Sequence, residues 1–109
     1  MALIVIDPGH GGTAPVGNPP SSPNNATGPQ RTQEKNIVLD IGIKCRDILR
    51  RQGITVLMTR DSDVNVGLYD RAHVARDNLA AAFVSIHLYP TRPRVICLRR
   101  FGISTSSAT

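Results

Sequence analysis

Leu3-Ile4-Val5-Ile6-Asp7-Pro8-Gly9-His10-Gly11-Gly12 is a short apolar run, rich in β-branched residues, that stops abruptly in a glycine turn carrying a histidine. Such a run reads as a buried strand, and Pro-Gly and Gly-Gly as the turn that ends it. Glycine lets the backbone turn sharply and leaves space beside the imidazole. The C-terminal end of a buried strand is where α/β proteins place ligands and chemistry. An ordinary surface turn with His10 in solvent is the competing reading, and these ten residues alone leave both open.

The chain beyond this strand repeats the pattern. From Glu34 to Gln52 the apolar positions Ile37, Val38, Ile41, Cys45, Ile48 and Leu49 fall at helical spacing on one stripe, and Gly53 suits the helix end. Ile54 to Thr59 reads as a second strand. Leu68, Ala72, Ala75 and Leu79 predict a second helix over 68–79 with these four on its buried face. Ala82 to His87 reads as a third strand, again ending in a histidine. The order β-α-β-α-β with apolar strands predicts an α/β fold, a mostly parallel sheet with helices on its faces. Residues 13–33 form a long loop rich in Pro, Gly, Ser and Asn, and a loop of that length in a small domain is often functional. Beyond His87 the periodic signal fades. Val95 to Leu98 is a candidate short strand and 104–109 reads as a frayed end.

This topology brings three potential ligands together. His10 and His87 follow the ends of two strands, and Glu34 opens the first helix. In a parallel sheet those strand ends and that helix start share one edge. Two imidazoles and one carboxylate suit Zn²⁺, with a fourth position left open, as in catalytic sites. A metal in such a site lowers the pKa of water toward about 7 and polarises a carbonyl.

Bulk properties set the limits. The chain has 109 residues, enough for one small domain, and its aromatic content of 4% predicts an aliphatic core. No apolar run approaches the roughly 18 residues of a membrane span, and no secretory signal peptide is visible. Cys45 and Cys97 match no metal or redox spacing and read as free thiols. The net charge of +5 is uneven: all eight acids lie in residues 1–87, whereas 88–109 holds Arg92, Arg94, Arg99 and Arg100 with no acid. That tail could suit an anionic polymer, but solvated arginines are the simpler reading, and no nucleic-acid partner is expected.

The pieces IVIDPGHGG at 4–12, EKN at 34–36, VLMTRDSD at 56–63, LYDRAHVA at 68–75 and FVSIH at 83–87 together resemble the zinc-dependent N-acetylmuramoyl-L-alanine amidases of the amidase-3 type, which cleave peptidoglycan. The resemblance covers residues 2–87 in order. It implies that His10, Glu34 and His87 bind zinc, and that the reaction is hydrolysis of the amide between N-acetylmuramic acid and the first L-alanine of the stem peptide. It also implies a place of action outside the cytoplasm: extracellular, periplasmic or in the cell wall. Asp7 is a candidate to orient His10, or else to satisfy loop amides. Arg60 is a candidate contact for substrate oxygens, or else part of a structural ion pair, the role expected of Arg71. Asp61-Ser62-Asp63 lacks the Gly and later Glu of a calcium loop, and His73 is expected in solvent.

The chain departs from the family pattern after His87. The family's glutamate general base follows a further strand, which the resemblance places beyond residue 109, and no Asp or Glu occurs after Asp77. The expected division is therefore an amidase-3-like catalytic portion over 1–87 and a divergent basic tail over 88–109, as a frameshifted or misassembled end would give. Three strands alone would leave a bare edge on the third strand. A non-catalytic remnant that binds zinc and muropeptide without turnover is the alternative function. A zinc peptidase or aminoacylase is a third.

Overall fold

The computed structural model describes residues 3–18, 20–23, 34–89, 92–99 and 102–107; for 89 and beyond only the backbone is described. The elements in chain order are β1 (Leu3–Pro8), α1 (Glu34–Arg51), β2 (Thr55–Met58), α2 (Leu68–Asp77), β3 (Ala82–Tyr89), β4 (Arg92–Arg99) and β5 (Gly102–Ser107). They build one sheet of order β2-β1-β3-β4-β5. β1 pairs in parallel with both β2 and β3, Ile6 lying opposite Met58 on one side and Val84 on the other. The α/β fold with a parallel sheet is as expected.

The far side of the sheet differs from expectation. β3 pairs antiparallel with β4 from Ala82↔Arg99 to Tyr89↔Arg92, and β4 pairs antiparallel with β5. The expected bare edge of β3 is thus covered, and 104–107 is strand rather than frayed chain. Polar β5, Gly-Ile-Ser-Thr-Ser-Ser, carries no apolar run to announce it; backbone pairing with β4 makes it a strand.

Both helices pack on β1, from opposite faces. Ile6, Val38, Val56 and Ile86 form the core, with Ile41, Cys45 and Leu49 of α1 half-buried against it. Ile6 therefore faces α1. Its neighbour Asp7 contacts Arg71 of α2, and successive strand residues point to opposite faces. α1 ends as its sequence foretold. Gly53 has φ +81, its N–H reaches the Arg50 carbonyl and the Ile54 N–H reaches that of Leu49, the paired bonds of a Schellman motif. Ile48, expected on the buried stripe, is exposed.

The buried face of α2 needs a larger correction. Leu68, Ala72 and Leu79 are exposed, Leu79 to 75%, while Arg71 is buried. The sheet face beneath α2 carries Asp7 and Ser85, so an arginine, not an aliphatic side chain, meets it. His73 is half-buried rather than in solvent. Of the long loop, 24–33 lies outside the described residues. The described part carries a Val16↔Ser21 bridge, and Asn65 ties it down by donating to the carbonyls of Ala14 and Ser21. Cys45 is a free, half-buried thiol. No helix among the described residues is long and apolar enough to cross a membrane.

Candidate metal centre

The turn after β1, the first residue of α1 and the end of β3 meet at the C-terminal edge of the parallel strands. His10, Glu34 and His87 each offer a ligand atom there, all within 4.8 Å of one another. Glu34 Oε2 lies 3.1 Å from His10 Nε2 and 3.2 Å from His87 Nδ1. The two rings stand edge to face, centroids 5.2 Å apart. Glu34 is only 2% exposed, and the Leu88 N–H donates to its Oε2 at 3.0 Å.

The donor set suits a cation. His10 Nδ1 lies 2.9 Å from the Ser22 carbonyl, which can only accept, so Nδ1 carries the proton. In the neutral ring Nε2 is then a lone pair facing a carboxylate oxygen, an arrangement that a metal ion satisfies. Fixing one ring nitrogen on a backbone carbonyl to free the other is the usual orientation of a ligating histidine. Nitrogen and carboxylate donors in this number suit zinc with one position open.

Gly9 makes the room. A Cβ there would sit 2.5 Å from His87 Cε1, so the imidazole occupies the volume a side chain would need. His10 itself has φ +61, a conformation uncommon outside glycine that persists where surrounding contacts impose it.

The chain matches the family model described as N-acetylmuramoyl-L-alanine amidase over residues 4–92. The chain belongs to the N-acetylmuramoyl-L-alanine amidase family. It is 36% identical over 108 residues to the amidase AmiA of Salmonella typhimurium, covering 98% of this chain and 34% of that protein. It is 40% identical over 90 residues to the sporulation-specific amidase of Bacillus subtilis, covering 81% of this chain and 31% of that protein. Among solved structures, the catalytic domain of the amidase CwlV from Bacillus (Paenibacillus) polymyxa var. colistinus is similar with a TM-score of 0.70 at 33% identity, over 82% of this chain and 46% of that one. AmiC2 of Nostoc punctiforme is similar with a TM-score of 0.69 at 39% identity, over 80% of this chain and 43% of that one. The chain thus spans about a third of the curated relatives' length.

Further buried polar groups lie around this amidase-family cluster. The Asp7 carboxylate accepts from Thr59 Oγ1 at 2.6 Å, Ser85 Oγ at 2.8 Å and Arg71 Nη1 at 2.7 Å. Asp7 therefore reaches His10 through Arg71, whose Nη2 donates to the His10 carbonyl at 2.7 Å. Arg71 forms the ion pair expected of it.

Arg60 does not form the expected ion pair among the described residues, and its side chain is turned inward at 4% exposure. Its Nε, Nη1 and Nη2 donate to the carbonyls of Pro8, Ser62, Gly9 and Lys35. Burial, with Arg71 nearby, lowers its pKa from the ordinary value, while Asp63 and Asp7 oppose that shift.

Lys35 was not legible as part of the site. It is buried beside Glu34 and donates to the Gly12 carbonyl at 2.7 Å and to Asp63 Oδ2 at 3.1 Å. Asp63 Oδ1 in turn accepts from the Gly12 N–H. Only the position of Lys35 next to a candidate ligand hinted at this.

Proposed function

We propose that the chain carries the zinc-binding part of a peptidoglycan amidase, hydrolysing the amide between N-acetylmuramic acid and L-alanine. The convergence of His10, Glu34 and His87 within 4.8 Å carries this reading, supported by membership of the family. Zinc held by His10 Nε2, Glu34 and His87 would supply Lewis-acid activation of water and of the scissile carbonyl. The chain's own residues prepare the site. The Ser22 carbonyl keeps the His10 proton on Nδ1. The Leu88 N–H anchors Glu34 Oε2. Gly9 leaves His87 its place. Peptidoglycan or muropeptide is the substrate in this reading, and the cell wall, periplasm or exterior the place of action.

A second reading has the chain hold zinc and muropeptide without turnover. No acid follows Asp77 in these residues, so a general base in the family's position is not supplied by them. Release of dye from labelled, purified cell walls, with and without chelator, separates the two. Chelator-sensitive release supports the amidase, and zinc binding without release supports the second reading. Product masses distinguish amidase from peptidase cleavage.

The division into 1–87 and a divergent tail over 88–109 is likewise a proposal: the family match ends at residue 92, whereas the alignment to AmiA covers 98% of the chain. Sequencing the locus tests its frameshifted origin. An uninterrupted homologous reading frame through Thr109 would exclude it.

A further inference from the structure

Two of the three candidate ligands sit on segments joined by a single nitrogen. Arg60 Nη2 donates to the Gly9 carbonyl at 2.7 Å and to the Lys35 carbonyl at 2.8 Å. Gly9 precedes His10, and Lys35 follows Glu34. The same guanidinium is fixed in orientation by Nε on the Pro8 carbonyl at 3.0 Å and Nη1 on the Ser62 carbonyl at 2.9 Å. From the other side Arg71 donates to the carbonyls of Pro8 and His10, both at 2.7 Å. Three consecutive carbonyls, those of Pro8, Gly9 and His10, are thus held by two buried guanidinium groups.

We propose that Arg60 is a positioning residue that sets the separation of His10 and Glu34 in the metal centre, with Arg71 holding the His10 backbone at its positive φ. This rests on the metal-site reading above. A planar guanidinium presents its N–H groups in fixed directions, so it can span carbonyls from separate segments and hold them at a set distance. An ammonium carries the same charge as a point with rotatable donors and cannot reproduce that span. Burying a cation is costly unless it is hydrogen-bonded. Among the described residues no carboxylate lies within ion-pair distance of Arg60, so the carbonyls of the ligand-bearing segments are what it is buried against. Its place between β2 and α2 makes it the tie between the turn after β1 and the start of α1.

The test compares zinc affinity, measured by competition with a chromophoric chelator, for the wild-type chain, Arg60→Lys and Val56→Ala. Val56 is a buried core residue of β2 outside the ligand segments, so Val56→Ala reports the effect of lost stability alone. Arg60→Lys is expected to weaken zinc 10- to 100-fold, about the range for groups that orient metal ligands. It should also alter the visible spectrum of the cobalt-substituted chain, which reports ligand geometry. Val56→Ala should lower Tm while leaving zinc affinity within about twofold and the cobalt spectrum unchanged. Unchanged affinity and spectrum in Arg60→Lys, or parallel weakening in both variants, would overturn the proposal. If Arg60→Lys does not fold, nitrogen-15 NMR of the arginine side chains in the wild-type chain replaces it. Resolved, slowly exchanging Arg60 Nη2 protons without metal support the preformed tie, and averaged ones overturn it. A wild-type chain that binds no zinc removes the metal-site reading and this proposal together, whereas normal wild-type binding with an unaffected Arg60→Lys removes this proposal alone.

Discussion

Arg71 and Asp7 form an ion pair of 2.7 Å with both side chains almost wholly inside the protein, their exposures being 5% and 6%. The pair joins α2 to β1 directly beneath the histidine turn, and Thr59 and Ser85 complete the hydrogen bonds of the carboxylate. Removing one partner of such a pair leaves a buried charge unopposed, which typically costs about 3–5 kcal/mol. Asp7→Asn is therefore expected to lower unfolding stability by roughly that amount. Denaturant melts measure it, and a loss below about 1 kcal/mol, the range of exposed pairs, would count against the buried geometry.

His10→Ala and His87→Ala should each abolish tight zinc binding. The expected loss is more than about 100-fold, the upper end of what removing an outer orienting group costs. Far-ultraviolet circular dichroism should show the fold retained. Zinc content equal to wild type in both variants would remove these residues from the metal centre.

Gly9→Ala isolates the steric role of the turn. Gly9 is not among the residues with positive φ, so the backbone itself accepts alanine. The new methyl meets the His87 ring at 2.5–3.0 Å and must displace it. Overpacking of this kind costs about 1–3 kcal/mol, and zinc affinity should fall with it. Thermal melts and chelator competition read the two effects. Unchanged values in both would show that the ring does not rest on Gly9.

Leu79 sits past the end of α2 with φ +52 and is 75% exposed. A bulky side chain gains little burial there and strains the left-handed conformation that glycine adopts freely. Leu79→Gly is expected to stabilise by up to about 1 kcal/mol, lessened by the greater freedom of glycine in the unfolded chain. A lower Tm than wild type would refute this.

Acid sensitivity should be partly traceable to Asp63. The Gly12 N–H, and then the Lys35 ammonium, hold its carboxyl below the ordinary carboxylate range. A carboxyl depressed in the folded state contributes its stability above the unfolded pKa of about 4, and loses it as pH falls through the folded value. Asp63→Asn should therefore reduce stability at neutral pH and flatten the decline below about pH 4. The side chain is half exposed, so the effect is small. Melts from pH 2 to 7 of both chains check it, and parallel curves would show that Asp63 carries none of the acid limb.

Much of this was legible in the linear chain. Strand periodicity, the α1 stripe and Gly53 located β1 to β3 and both helices to within a few residues, because burial on one face leaves a regular trace. The parallel order of those strands then gathered His10, Glu34 and His87 at one edge. The antiparallel strands β4 and β5 left little such trace, since pairing of β5 depends on the backbone of β4 rather than on its own side chains.

The amino-acid sequence by itself determined the parallel β-α-β-α-β order, the histidine turn and the three ligand-type residues, since each follows from local residue pattern. Only the tertiary structure decided which face of α2 is buried, and it chose Arg71 over Leu68 and Leu79. It also turned Arg60 inward onto the carbonyls of Pro8, Gly9 and Lys35. The reason is physical. A buried charge goes where hydrogen-bond partners from distant segments coincide, and that coincidence exists only once the chain has folded.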